Sequence, residues 1–334
     1  MKKYLQYFLV ISIFPLALFT CSLVSAQSHH LSDEYFSKAL DLKDQGKYLE
    51  AAMMYEKSAQ AEKASPSPIM AEVSVELNEA GYHYSFVGQY KNAIKNYKEA
   101  LVIARKLDRK DYISAYLNNI GRVYNSRGQY DKAIKCYEEA LAINKKLQRK
   151  ADIAGVLNNI GMVYDSWGQY DKAKEYYEEA LAIARKLELK ELIATSLNNI
   201  GTVYDIWGKY YIAIELYKEA LTINEKLQRE AKIAACLNNI GEAYISLGEH
   251  DKAIEYHEEA LAIARKLELK ELITTSLNNI GTVYSSKGQY DKAMKCYKED
   301  LAINEKSQRK ADIVINLNNI ANLYFKQKKK NDVQ

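Results

Sequence analysis

The sequence predicts an all-α solenoid of stacked helix pairs, and three observations carry that expectation. Leu117-Asn118-Asn119-Ile120-Gly121 returns unchanged from Leu157, Leu197, Leu237 and Leu277, and again as Leu317 to Ala321, always forty residues on. A repeat of that length marks units that bury an apolar face only against their neighbours. Within a unit the apolar spacing is helical. Leu117, Ile120, Gly121 and Tyr124 lie at i, i+3, i+4 and i+7, and after Gly128 a second stripe runs through Ala133, Ile134, Tyr137, Ala140 and Leu141. The only prolines after residue 26 are Pro66 and Pro68, so nothing later obliges a helix to break.

The N-terminus has a different chemistry. Lys2 and Lys3 precede an apolar run from Phe8 to Phe19, and Val24-Ser25-Ala26 offers the small residues at which a secretory leader is cut. Residues 1–26 are expected to be a signal peptide and 27–31 a short tail, with the mature chain exported to the periplasm or outside the cell. Cys21 raises lipid attachment as a rival, against which stand the bulky residues before it, Leu18-Phe19-Thr20. No later stretch is apolar enough to cross a bilayer, so no stable membrane insertion of the mature chain is expected.

The repeats are expected over 32–327, in units of about 32–68, 69–110, 111–150, 151–190, 191–230, 231–270 and 271–310. A capping helix at 311–327, polar on its outer side, and a basic tail at 328–334 follow. In each complete unit Gly128 or its equivalent separates the two helices. Asp131 falls in the first turn of the second, where its charge favours the helix dipole. Gly121 and Ala133 are small enough to let the helices approach.

The pattern Leu117, Gly121, Tyr124, Gly128, Tyr130, Ala133, Tyr137, Ala140, Leu141 resembles the tetratricopeptide repeat over nearly the whole mature chain. The unit exceeds that family's usual length of about 34 residues, for example through Gln148 to Ile153, and lacks its closing proline. The longer form is similar to the repeats of kinesin light chain, of bacterial peptide-pheromone receptors and of the exported sensor halves of bacterial signalling proteins. The resemblance implies a right-handed superhelical solenoid with the first helices lining a concave groove. It further implies a non-enzymatic role, with a protein or extended peptide as partner.

A second period overlies the first. Glu178 to Tyr204 equals Glu258 to Tyr284 except at Ala194 against Thr274. Ile143-Asn144, Ile223-Asn224 and Ile303-Asn304 alternate with Ile103-Ala104, Ile183-Ala184 and Ile263-Ala264. The building block is thus eighty residues, and surface features are expected to recur at that distance.

Composition narrows the function. Lys+Arg 47 against Asp+Glu 43 leaves a net charge of +4, too even for a nucleic-acid footprint. The one dense basic run, Lys326 to Lys330, reads as a solvated helix end, so no nucleic-acid partner is expected. Cys136, Cys236 and Cys296 read as small buried residues, and His250 and His257 as stand-ins for tyrosines rather than a metal pair. Paired glutamates such as Glu138-Glu139 read as a solvated face. No phosphate loop, zinc-protease motif, nucleophile elbow or paired Cys-x-x-Cys is present, so no catalytic, cofactor or metal site is expected.

The candidate binding surface is the polar side of each first helix. Asn118, Arg122 and Asn125 lie at i, i+4 and i+7, opposite the apolar stripe. The same places hold Asn158, Met162 and Asp165; Asn198, Thr202 and Asp205; Asn238, Glu242 and Ile245; and Asn278, Thr282 and Ser285. A constant carboxamide both donates and accepts, so the first Asn is expected to pair with a peptide main chain while its variable neighbours read side chains. The second Asn of each copy (Asn119, Asn159, Asn199, Asn239, Asn279) lies nearer the helix flank and reads equally as binding or structural. Bonding to a neighbouring helix is the alternative for the first Asn as well. Trp167 and Trp207 read as packing at the repeat edge, with a groove-rim contact as the alternative. Two rival functions stand beside the peptide scaffold: the input module of a bacterial signalling protein without its membrane and output parts, and an enzyme whose site leaves no motif.

Overall fold

The structure, a computed structural model, describes residues 30–65 and 67–333. The expected leader, Cys21 and Pro66 lie outside those residues. Every regular element among them is an α-helix: α1 (30–44), α2 (Tyr48–Lys63), α3 (Met70–Phe86), α4 (Tyr90–Lys106), α5 (Lys110–Ser126), α6 (Tyr130–Lys146), α7 (Lys150–Ser166), α8 (Tyr170–Lys186), α9 (Lys190–Ile206), α10 (Tyr210–Lys226), α11 (Glu230–Ser246), α12 (His250–Lys266), α13 (Lys270–Ser286), α14 (Tyr290–Lys306) and α15 (Lys310–Val333). Odd-numbered helices are the first helices of the repeats and even-numbered ones the second.

Apart from the link between α2 and α3, two kinds of turn join them, with one hydrogen-bond pattern. After α5 the Gln129 N–H returns to Tyr124 O at 2.9 Å and the Gly128 N–H to Asn125 O at 2.8 Å, with Gly128 at φ +66°. This is a Schellman closure, which satisfies two orphan carbonyls and needs a left-handed residue at its C′ position. After α6 the same closure runs from Arg149 N–H to Asn144 O and from Gln148 N–H to Lys145 O, but the left-handed residue is Gln148, at φ +55°. Asp108, Glu188, Gln228, Glu268 and Gln308 repeat that conformation.

The chain divides at Gly168 into two compact units. In the unit that ends there, α1 to α7 pack in chain order around Ala51, Tyr55, Leu77, Tyr97, Leu117, Ile120, Tyr137 and Leu157, all essentially buried. In the unit that begins at Gln169, α8 to α15 pack around Tyr177, Leu197, Ile200, Tyr217, Leu237, Ile240, Leu277 and Tyr297. Each core contains a recurring close approach, in which the Gly of a first helix lies under the ring of the second helix's Tyr, or under His257 in the case of Gly241. A Cβ on Gly121 would sit 2.8 Å from Tyr137 Cε1.

The eighty-residue period is visible in surface ion pairs. Arg105 of α4 meets Glu139 of α6 at 2.6 Å, Arg185 of α8 meets Glu219 of α10 at 2.8 Å, and Arg265 of α12 meets Glu299 of α14 at 2.5 Å. Exposed pairs of this kind contribute about 0.2–1 kcal/mol each, so they set register more than stability.

The last helix corrects one expectation. α15 runs on to Val333 instead of ending near 327, and its outer side is not polar, because Val314, Leu317, Tyr324 and Phe325 are between half and three-quarters exposed. Val314 and Leu317 hold the positions of Ala154 and Leu157, which are buried; no second helix covers them among the described residues.

Candidate functional site

The constant asparagines bond to one another. Asn119 Nδ2 donates to Asn78 Oδ1, Asn159 to Asn118, Asn239 to Asn198 and Asn319 to Asn278, each at 2.9 Å. The second Asn of one repeat therefore joins the first Asn of the repeat before it. Asn279 departs, donating instead to Glu242 Oε1 at 2.9 Å. Asn158 and Asn238 are only 4% exposed. Asn238 Oδ1 accepts from Ser276 Oγ at 3.0 Å and lies 2.8 Å from His257 Nδ1. Asn198 Oδ1 also faces the Cys236 thiol at 3.9 Å. Asn118, Asn198, Asn278 and the second asparagines Asn119, Asn159, Asn199, Asn239 and Asn279 are half-buried. The ladder thus acts between repeats as a lateral clamp. Asn78 was not apparent from the sequence, because its surroundings, Leu77-Asn78-Glu79-Ala80-Gly81, depart from the pentapeptide.

The variable places have another environment. In the first unit Arg122 is exposed, with its guanidinium 5.5 Å from the Tyr82 ring, and Met162 is 44% exposed. Asn125 is half-buried and its Oδ1 has no partner, while burial pushes the Asp165 carboxyl above its ordinary range. In the second unit Asp205 is half-buried, raised first by burial and then by the neighbouring Glu242 carboxylate, and its Oδ1 has no partner. Thr202 and Thr282 return their hydroxyls to Asn198 O at 3.1 Å and Asn278 O at 2.9 Å. The Asp205 carboxyl thus lies within electrostatic reach of Glu242, which accepts the Asn279 amide hydrogen.

The histidine and aromatic positions have packing roles. His257 is fully buried in the place of Tyr217, and burial lowers its pKa to about 4. Trp167 stacks on Tyr130 at 5.6 Å between ring centroids, and Trp207 meets Tyr204 edge-on at 5.5 Å. Cys136, Cys236 and Cys296 are free thiols. Among the described residues no helix is long and apolar enough to span a membrane.

Paired helices of this kind, recurring at forty residues with a Gly-under-Tyr contact, define a helical repeat protein. The tetratricopeptide-repeat profile matches residues 72–146, 152–226 and 232–306, and the chain belongs to that family, as a repeat scaffold for protein interaction. Among solved structures it is similar to BtubC (BKLC) from P. vanneervenii, at 28% identity over 66% of this chain and 92% of that one, with a TM-score of 0.59. It shares its fold with the apo form of RapI, at 16% identity over 83% of this chain and 99% of that one, TM-score 0.65. A Rap protein complexed with Competence and Sporulation Factor is similar at 17% identity over 93% and 99%, TM-score 0.57. No curated protein matches the sequence.

Proposed function

We propose that the chain is an exported, non-enzymatic scaffold that holds an extended peptide or protein segment along the polar side of its first helices. One observation carries this reading: most of the constant asparagines are engaged with one another, while at the variable places Arg122, Met162 and Glu242 are exposed and Asn125 and Asp205 keep an unpartnered oxygen. A surface whose framework is invariant and whose contacts vary suits the reading of a sequence, position by position. The fold-level likeness to a Rap protein complexed with Competence and Sporulation Factor supports a peptide ligand. The Asp205 and Glu242 carboxylates favour a basic side chain opposite the second unit, and Arg122 an acidic one opposite the first.

Random-peptide display on the mature chain tests the proposal. Enriched peptides should carry basic residues, and Asp205→Asn with Glu242→Gln should weaken the best of them about tenfold, equivalent to about 1.4 kcal/mol. Failure to enrich any peptide, or equal binding by the double variant, removes the reading. Export has its own check: N-terminal sequencing of the protein recovered outside the cytoplasm should begin at Gln27.

A further inference from the structure

The eighty-residue period builds a second kind of feature, a polar cluster between every other pair of first helices. Three sequence positions change together to make it. Where the second helix ends in Ile-Asn, at Asn144, Asn224 and Asn304, an Arg follows five residues on, at Arg149, Arg229 and Arg309. The preceding first helix then carries an acid, at Asp111, Glu191 and Glu271. In the alternate repeats the Asn is Ala184 or Ala264 and the Arg is Leu189 or Leu269. In the second unit the Arg reaches across to the acid: Arg229 meets Glu191 at 2.9 Å, and Arg309 pairs with Glu271. The cleft there, floored by Asn304, keeps a volume of about 190 Å³.

The first cleft, between α5 and α7, lacks that bridge. Arg109 stands where later copies have Leu189 and Leu269, and it holds Asp111 through two contacts of 3.2 and 2.9 Å. Arg149 turns to Asp152 instead, at 3.0 Å; the next such copy has Lys232 there, and the third has Asp312, which Arg309 meets at 3.7 Å while it also bridges to Glu271. The cleft is correspondingly larger, about 460 Å³, within the range of small-molecule sites. Its lining includes Asp111, Tyr112, Asn118, Asn144 and Arg149. Asn144 is 2% exposed and its Oδ1 has no hydrogen-bond partner. A buried carboxamide left incomplete at the floor of an open polar cleft points to a ligand that completes it.

We propose that the α5–α7 cleft binds a free α-amino acid, which replaces the ion pair that the equivalent clefts make internally. Its carboxylate meets Arg149, its ammonium meets Asp111, and Asn144 pairs with the group that reaches the floor. Both protein ions lie at the mouth on surface partners, Asp152 and Arg109, that exchange at little cost. The site is separate from the variable groove positions and does not rest on the peptide reading.

Calorimetric titration of the mature chain with each free amino acid tests this. N-acetyl amino acid amides, acetate and methylammonium serve as probes that lack one or both charges. At least one free amino acid should bind saturably, and Arg149→Leu and Asn144→Ala should each weaken it tenfold or more. Those substitutions install residues that alternate repeats already carry, and circular dichroism checks that the variants fold. Arg229→Leu should leave binding unchanged. The proposal falls if no free amino acid binds, if both cleft variants bind as the parent does, or if acetate or methylammonium competes equally well.

Discussion

At the scale of single residues, the glycines do two unlike jobs. Gly201 lies under Tyr217, and a Cβ there would stand 2.6 Å from Cε1 and 2.8 Å from Cδ1 of a ring with no free direction in which to retreat. Gly201→Ala should cost about 1–3 kcal/mol as overpacking, read as a lower urea midpoint, and Tyr217→Leu in the same chain should recover part of the loss. Gly128 has open space around its Cα, yet φ is +66°, so Gly128→Ala should cost about 1 kcal/mol through backbone strain alone. A Gly201→Ala loss that Tyr217→Leu does not reduce would contradict the distinction. Ala321, in α15, stands where the first helices from α3 to α13 have Gly, and no second helix lies over it among the described residues. Much of this was legible beforehand: Gly128 marked its turn and Gly121 its close approach. Gln148 was not, because a left-handed Gln leaves no compositional mark in a sequence otherwise rich in helix formers.

At the scale of elements, α3 and α12 each bury a group that titrates against its surroundings. Glu76 of α3 accepts from Ser58 Oγ at 2.6 Å while its second oxygen is buried without a partner; burial, reinforced by Glu62 and Glu72, lifts its carboxyl to about 7. Raised above its unfolded value, Glu76 supplies stability that is complete below about pH 4.5 and is lost as pH rises through 7. His257 of α12 is lowered to about 4, so its contribution is complete above about pH 6.5 and is lost as pH falls toward 4. Each span is worth up to about 3 kcal/mol. Trp167 lies in the first unit and Trp207 in the second, so single-tryptophan chains report each by fluorescence during urea unfolding at pH 5 and pH 8. Glu76→Gln should raise the midpoint seen by Trp167 at pH 8 and leave it nearly unchanged at pH 5. His257→Tyr should raise the midpoint seen by Trp207 at pH 5 more than at pH 8. A pH-independent gain in either variant would mean that packing, not ionisation, governs the site. The helices themselves followed from their periodicity, but the choice of partner for each Asn did not. Those partners lie 41 residues away, and a pattern on one helix does not say which neighbouring carboxamide it meets.

At the scale of the whole molecule, the eighty-residue block should be the unit that can be removed. Excising residues 178–257 joins Tyr177 to Glu258, and because Glu258 to Tyr284 repeats Glu178 to Tyr204 almost exactly, each helix downstream meets a neighbour of the kind it had. Excising only 218–257 joins Tyr217 to Glu258 and breaks that phase. It places Glu191 and Glu271 on successive first helices, removes Arg229 from between them, and puts Ala264 where Asn224 had been. In a repeat array the stability lost is the sum of the units and interfaces removed, so on length alone the forty-residue excision should be the milder. The alternation predicts otherwise. The chain shortened by eighty residues should keep its ellipticity per residue at 222 nm and a single sharp transition. The chain shortened by forty should melt at a lower temperature than its longer length warrants, with like charges facing across one cleft. If the two deletions instead rank by length, the forty-residue repeat is the energetic unit and the eighty-residue period is only a trace of how the array was copied.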